Sequence, residues 1–276
     1  MESDDACYLA LTSRMHLSES SFSSRDLVKA YHNAMLSNEV NHDLNERKPQ
    51  GYWDPILRVA SESSYKDPVV DLRLVNLLNN LHHLPADLLE VYKRIYPVVD
   101  GRPNEALVSP WYQLPEWSIE CREAMNWDTI LEKDDERQGT WVNLHSFFAR
   151  STTWYLDNPG GKIALTYDLF CLWMLRAAFE DNGKVRKADW DAASIWLCET
   201  GQWIYKWCRE TRDMCGDGRA GIGGERFAHK GWRGFEMSRW EVWKEALAIG
   251  LGEADLDKET RGLMSRALDV MRTCRE

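Results

Sequence analysis

Long apolar runs and long basic runs are both missing from this sequence of 276 residues. No stretch reaches the length needed to span a bilayer, and the acidic segment Met1–Asp5 lacks the basic and apolar regions of a secretion signal. No run of Lys or Arg is long enough to follow a nucleic-acid backbone, and the formal net charge is −10. We therefore expect a soluble protein of the cytoplasm or the nucleus that binds neither membranes nor nucleic acid.

Motifs for metal, redox and hydrolase chemistry are missing as well. The seven cysteines are scattered, and the chain has no Asn-x-Ser/Thr acceptor for N-glycosylation. It also has no His-Glu-x-x-His sequence and no Gly-x-Ser-x-Gly elbow. We expect reduced thiols, no metal site and no cofactor. The glycine pattern Gly216–Gly221 follows a predicted helix instead of a strand, which favours a surface loop, or a lid over a pocket, over a nucleotide site.

The sequence is instead rich in tryptophan, with 14 such residues in the chain. Each tryptophan adds a large apolar ring and one N–H group that needs a partner when buried. A tryptophan-rich interior is therefore either a heavily packed core or the wall of an aromatic pocket. Trp196, Trp203 and Trp207 follow helical spacing, which indicates packing along one helix.

Helical periodicity runs through most of the chain, and no segment alternates apolar and polar residues long enough to predict a strand. We expect an all-α, single-domain bundle of about nine to eleven helices over residues 1–276. A proline-rich connection at 97–115 would join an N-terminal sub-bundle, 1–96, to a C-terminal sub-bundle, 116–276. The segment Ile163–Glu180 is apolar around most of its circumference, so we expect this helix at the centre of the bundle.

Several blocks of sequence follow one another in the C-terminal half. They are Trp141–Arg150, Leu175–Glu180, Ala192–Trp196, Gly231–Phe235 and Arg239–Lys244. In combination they resemble a fungal, all-helical family that is catalogued only as a domain of unknown function. The resemblance implies a filamentous-fungal source and a helical fold, and some members lie near genes for specialised metabolites. It assigns no catalytic residue.

Charged side chains interrupt the apolar helix at Asp168, Arg176 and Glu180. Because an isolated charge is costly to bury, these groups need partners, and Arg176 can pair with Glu180 along the helix. Arg150 and Arg239 lie among aromatic residues and are the other candidate partners. Two interpretations are open, namely a buried salt-bridge network that fixes helix register and the polar end of an aromatic pocket.

Two sets of residues would carry a function if the aromatic residues form a pocket. Arg176, Glu180 and His145 are the candidate catalytic groups, because side chains of these types can move protons or stabilise charge. The candidate ligand-binding residues are aromatic or lie beside polar groups in the same blocks: Trp141, Asn143, Trp232, Arg239, Trp240 and Trp243.

Two functions of different class remain open. In the first, the chain binds a hydrophobic small molecule of fungal specialised metabolism and performs a cofactor-free cyclisation or isomerisation. In the second, it is a non-catalytic helical module with an interaction or regulatory role. The number of aromatic residues favours the first. Whether the charged row faces a cavity or a dry interior discriminates between the two.

Overall fold

The computed structural model describes residues 2–39, 53–82, 114, 117–125, 135–159, 165–216 and 218–274. These residues form ten α-helices and one 3-10 helix and contain no β-strand, apart from an isolated bridge between Asp213 and Gly234. The prediction of an all-α fold is confirmed. None of the described helices combines the length and the apolar character that a bilayer span requires.

The chain divides into two compact units. One lies within Met1–Arg137 together with Gly160–Ala164, and the other comprises Gln138–Pro159 and Leu165–Glu276. That residues 1–276 form a single domain stays a prediction. The proline-rich connection expected at 97–115 lies outside the described residues, with the exception of Leu114.

The first unit contains five of the described helices. They are α1 Glu2–Met15, α2 Ser24–Glu39, α3 Asp54–Glu62, α4 Pro68–His82 and α5 Trp117–Met125. Helix α1 packs against α2 and α3, α2 packs against α4, and α3 packs against α4 and α5. The apolar residues of these helices form the core of the unit.

The sequence Asp67-Pro68 sets the start of α4. Proline tolerates the first helical position because its missing N–H would have no helical partner there, and Asp67 Oδ1 accepts a hydrogen bond from the Val69 N–H at 3.1 Å. Further along α4, Arg73 is buried and its Nη1 donates to the carbonyl of Met15 at 2.5 Å. This hydrogen bond joins α4 to the end of α1.

The second unit contains the remaining helices. They are α6 Asp135–Asp157, α7 Asp168–Phe179, α8 Lys187–Arg209, the 3-10 helix Glu225–Lys230, α9 Met237–Gly250 and α10 Lys258–Thr273. Helix α8 packs against α7, α9 and α10, and α9 also packs against α7 and α10. Because α8 contacts helices on several sides, most of its residues are buried.

The apolar helix begins later than the sequence indicates. The sequence predicts a helix over Ile163–Glu180, whereas Leu165–Tyr167 is not helical and α7 begins at Asp168. The Tyr167 N–H donates to Thr152 Oγ1 at 3.0 Å, so this segment is bound to α6 instead of forming a helical turn. Residues 163 and 164 lie outside the described part of the chain.

Asp257 caps the N-terminus of α10, and its Oδ1 accepts a hydrogen bond from the Thr260 N–H at 2.8 Å. Replacing Asp257 with alanine is expected to lower the free energy of unfolding by about 1 kcal/mol, because this N–H group loses its acceptor. The variant Asp257→Asn keeps a side-chain oxygen at the cap and is the matched control. Urea unfolding compares the two variants, and equal stability for both would exclude the cap as the cause.

Candidate functional site

Glu180 follows the last residue of α7, and its side chain is 0% exposed. Its Oε1 accepts hydrogen bonds from Arg239 Nε at 2.5 Å and from Trp243 Nε1 at 2.6 Å. Its Oε2 accepts from Arg239 Nη2 at 2.9 Å and from the Gly224 N–H at 2.8 Å. A carboxylate has about four lone-pair sites, and here four donors occupy them. Glu180 therefore has no free lone pair with which to bind or deprotonate a substrate.

Arg239, on α9, is saturated in the same way. Nε and one N–H of Nη2 donate to Glu180. The two N–H groups of Nη1 donate to the carbonyls of Gly221 and Gly234, each at 2.8 Å, and Nη2 also donates to the carbonyl of Ile222 at 3.1 Å. All five guanidinium donors thus have acceptors within the protein. We call this set the Glu180 cluster: the side chains of Glu180, Arg239 and Trp243 with the backbone of Gly221, Ile222, Gly224 and Gly234.

Glycine lets the backbone come close enough to form the Glu180 cluster. A Cβ atom on Gly224 would lie 2.7 Å from Glu180 Cβ, and one on Gly221 would lie 2.2 Å from the Arg233 carbonyl oxygen. The glycine-rich segment after α8 is therefore held by the cluster from both its carbonyl and its N–H groups. No described helix begins at Gly221, and residues 216 and 218–221 lie in turns and bends, as the expected surface loop requires.

Two of the predicted aromatic ligand residues lie beside Arg239. Its guanidinium carbon is 5.2 Å from the ring centroid of Trp232 and 5.7 Å from that of Trp243, within the range of a cation–π contact. Trp232 Nε1 donates to Ser238 Oγ at 2.9 Å. Trp240 is buried and packs edge-on against Tyr205, with 5.4 Å between the ring centroids. These rings complete a packed interior around the ion pair.

The other charges of the predicted row have separate surroundings. Arg176 lies one turn before the Glu180 cluster, is half-buried, and forms no ion pair with a described residue. Asp168 pairs with Arg212. Arg150, the other predicted partner of the row, pairs instead with Glu199 at 3.0 Å. Within the described part of the chain, no group of His, Cys, Asp and Glu is placed to hold a metal ion.

His145 lies on α6, apart from the residues of the Glu180 cluster, and is 1% exposed. Trp196 Nε1, on α8, donates to His145 Nδ1 at 2.9 Å. The neutral imidazole therefore carries its proton on Nε2, which is buried and has no hydrogen-bond partner in the described structure. Burial lowers the pKa of His145 from 6.5 to about 3, because the charged ring would be desolvated. The ring is neutral at physiological pH.

Trp141 lies one turn before His145 on the same helix. The two ring centroids are 4.3 Å apart with an interplanar angle of 81°. Trp141 Nε1 is also buried without a hydrogen-bond partner, while 7% of the residue is exposed. We call Trp141, His145 and Trp196 the His145 corner. Asn143 lies about 200° around the helix from Trp141, and α6 therefore does not bring it into this corner.

Sequence reasoning missed Trp196, which helical spacing assigned to packing, and the backbone groups that surround Arg239. Helical spacing indicates which residues share a face of one helix, whereas Trp196 and His145 lie on different helices, 51 residues apart. Trp196 and His145 do fall in two of the blocks that carry the family resemblance. That co-occurrence is the one signal in the sequence that points to the pair.

The comparisons with known proteins bear on the whole region just described. Residues 53–247 match the family model described as "Protein of unknown function (DUF3632)". No curated protein and no solved structure matches the chain. The matched range is well over half of the chain and includes both the Glu180 cluster and the His145 corner. The chain therefore belongs to the DUF3632 family, which confirms its resemblance to a family catalogued as a domain of unknown function.

Proposed function

We propose that this chain binds an apolar small molecule that carries an oxygen acceptor, and that the His145 corner is the binding site. The observation that supports the proposal is the pair of buried donors without partners, Trp141 Nε1–H and His145 Nε2–H. They lie on adjacent turns of one helix, in rings whose centroids are 4.3 Å apart. A ligand oxygen has two lone pairs, one for each of these donors.

The energetic argument is that unpartnered buried donors are unfavourable. Each costs about 1–3 kcal/mol relative to a donor that is hydrogen-bonded. A ketone or ester oxygen would remove this cost for both groups, while the aromatic rings contact the apolar part of the ligand. Trp141 keeps 7% of its surface exposed and is the most accessible ring of the corner.

The proposal is binding without turnover. Of the three candidate catalytic groups, Glu180 has all its lone pairs occupied by donors of the protein. Arg176 is not one of these donors, so it is not part of the Glu180 cluster. His145 is neutral and has a donor, not a base, on its free nitrogen. The corner therefore offers hydrogen bonds to a ligand oxygen but no group that would accept a proton from carbon. An intracellular role in specialised metabolism, as the family resemblance implies, is part of this proposal.

A matched pair of ligands tests the proposal. 2-Acetylnaphthalene and 2-ethylnaphthalene have nearly the same size, and the carbonyl oxygen occurs in only the first. We expect the ketone to bind about thirtyfold more tightly, because two hydrogen bonds of about 1 kcal/mol each are formed. Isothermal titration calorimetry measures both affinities. Native mass spectrometry of the protein from its expression host shows whether a compound of this class co-purifies.

Substitutions assign the effect to the corner. Trp141→Phe and His145→Phe each remove one donor and keep an aromatic ring, so each is expected to reduce the preference for the ketone. Trp232→Phe also removes an indole N–H, but beside the Glu180 cluster, and is expected to leave the preference unchanged. Loss of the preference in Trp232→Phe alone would move the site to the cluster. Equal binding of the two ligands by the wild type would contradict the proposal.

The alternative is a helical interaction module, which the saturation of the Glu180 cluster favours because it leaves no reactive group in the most polar part of the interior. Failure of both naphthalenes to bind would support it. Catalysis has its own readout in the same system. If the chain were an isomerase, the acetyl methyl protons of the ketone would exchange in D2O faster with protein than without, and NMR would detect that exchange.

A further inference from the structure

A surface cleft of about 810 Å³ lies in the second unit, independent of the His145 corner. One wall is the segment Gly183–Lys187, which leads into α8, and the other is formed by Glu253 and Asp255–Asp257 between α9 and α10. Trp190, in the first turns of α8, completes the lining. We call this the α8 cleft. Its volume is within the range of sites that bind small molecules, about 300–1,000 Å³.

Trp190 is fixed in the α8 cleft by packing on its inner side. Its ring lies so close to Gly250 that a Cβ atom there would be 2.4 Å from Trp190 Cη2, and its centroid is 5.7 Å from that of Phe179. The residue is 8% exposed. Trp190 lines the cleft, and no described residue accepts a hydrogen bond from its indole N–H.

The three cations that line the α8 cleft are already paired with carboxylates. Arg186 binds Asp189 at 2.8 Å, and Lys184 binds Asp255 at 3.0 Å across the opening. Lys187 is shared between two carboxylates: it binds Asp191 at 2.6 Å and Asp257 at 3.5 Å.

Carboxylates remain in excess after these pairs are formed. Glu253 forms no ion pair with a described residue, and Asp191 Oδ1 is buried without a hydrogen-bond partner below Lys187. The lining itself has three carboxylates and three cations. Asp189 and Asp191 lie behind it, and the Arg261 guanidinium donates to the carbonyls of Glu253 and Leu256, so the region as a whole has five carboxylates and four cations. This excess favours a cationic ligand over an anionic one.

We infer that the α8 cleft binds a small organic ammonium compound with a partly apolar body and a carbonyl oxygen. Glu253 attracts the ammonium group, the Trp190 ring contacts the apolar body, and the Trp190 indole N–H donates to the carbonyl. An α-amino amide combines these features at the right size. The site shares no residue with the His145 corner, and its occupancy does not depend on what binds there.

Three probes separate the features. They are L-phenylalaninamide, its N-acetyl derivative, which lacks the charge, and phenethylamine, which lacks the carbonyl. Titration into the ¹⁵N-labelled protein is expected to shift the Trp190 indole resonance, assigned by its absence in Trp190→Phe, with L-phenylalaninamide binding most tightly. If the N-acetyl derivative binds as well as the amine, or if no Trp190 shift occurs with any probe, the inference is wrong.

Glu253→Gln removes the charge of the Glu253 carboxylate. Because Glu253 forms no ion pair with a described residue, the variant is expected to keep the fold. The affinity for L-phenylalaninamide should fall about threefold to fivefold, the range of an exposed ion pair, while binding of the N-acetyl derivative stays the same. Asp269→Asn removes an exposed carboxylate on α10 outside the cleft and is the matched control. Equal affinity losses in both variants would indicate a general charge effect and would overturn the assignment of Glu253.

Discussion

Replacing Arg239 with methionine is expected to lower the free energy of unfolding by about 3–5 kcal/mol. Methionine has a similar length and keeps apolar contacts with Trp232 and Trp243. It leaves the Glu180 carboxylate buried without its cation, and it leaves the carbonyls of Gly221, Ile222 and Gly234 without a donor. Because a charge buried without its partner is more costly than the pair is favourable, removal of one partner is the most damaging change at this site.

Two further variants separate charge from hydrogen bonding at Arg239. Arg239→Lys keeps the charge, but lysine has three N–H donors and the surrounding residues present five acceptor atoms. The stability of this variant is therefore expected to lie between those of the wild type and Arg239→Met. The double variant Glu180→Leu/Arg239→Met removes both charges and is expected to recover part of the loss. Chemical denaturation measures all three. An Arg239→Met protein within about 1 kcal/mol of the wild type would show that the pair is a minor contribution.

The stability of the protein is expected to fall at mildly acidic pH because of His145. Its pKa is 6.5 in the unfolded chain and about 3 in the folded chain, so between these values the unfolded state binds the proton and the folded state does not. The contribution is fully present above pH 6.5 and is lost by about 1.4 kcal/mol for each pH unit below that value. From pH 7 to pH 5, we expect His145 to account for a loss of about 2 kcal/mol.

The pH effect is measured as a difference between proteins. His145→Asn keeps an oxygen that accepts from Trp196 Nε1 and removes the titrating ring, so its stability should fall less steeply between pH 6.5 and pH 4. His229→Asn removes an exposed histidine and is expected to keep the wild-type slope. If the free energy of unfolding has the same pH slope in the wild type and in His145→Asn, then His145 takes up its proton in the folded state. The proposed function, which needs a neutral His145 ring that donates from Nε2, is then contradicted.

Much of the fold follows from local sequence signals. The all-α class, the start of α4 after Asp67 and the cap of α10 at Asp257 depend on periodicity, proline and capping chemistry, which act within a few residues. The late start of α7 could not be predicted in this way. It depends on a hydrogen bond from Tyr167 to Thr152 on another helix, and an apolar sequence gives no indication of such a contact.

The candidate site follows from the sequence only in part. That Glu180 needs a partner follows from the cost of a buried charge, and Arg239 is one of the three arginines that the sequence offers, with Arg150 and Arg176. The expected helical pair with Arg176 does not account for Glu180, because chain reversal after α7 brings α9 and the glycine-rich segment onto its carboxylate. The unpartnered donors of the His145 corner depend on atomic positions that no residue pattern encodes.

The Glu180–Arg239 pair also has a consequence for how the chain folds. Its partners are 59 residues apart, and the Gly224 N–H reaches the same carboxylate only when the segment between them has closed. Such contacts form after local helices, so Arg239→Met should accelerate unfolding more than it slows folding. The amide proton of Gly224 would then report, through its exchange with solvent, each opening of α7 from α9.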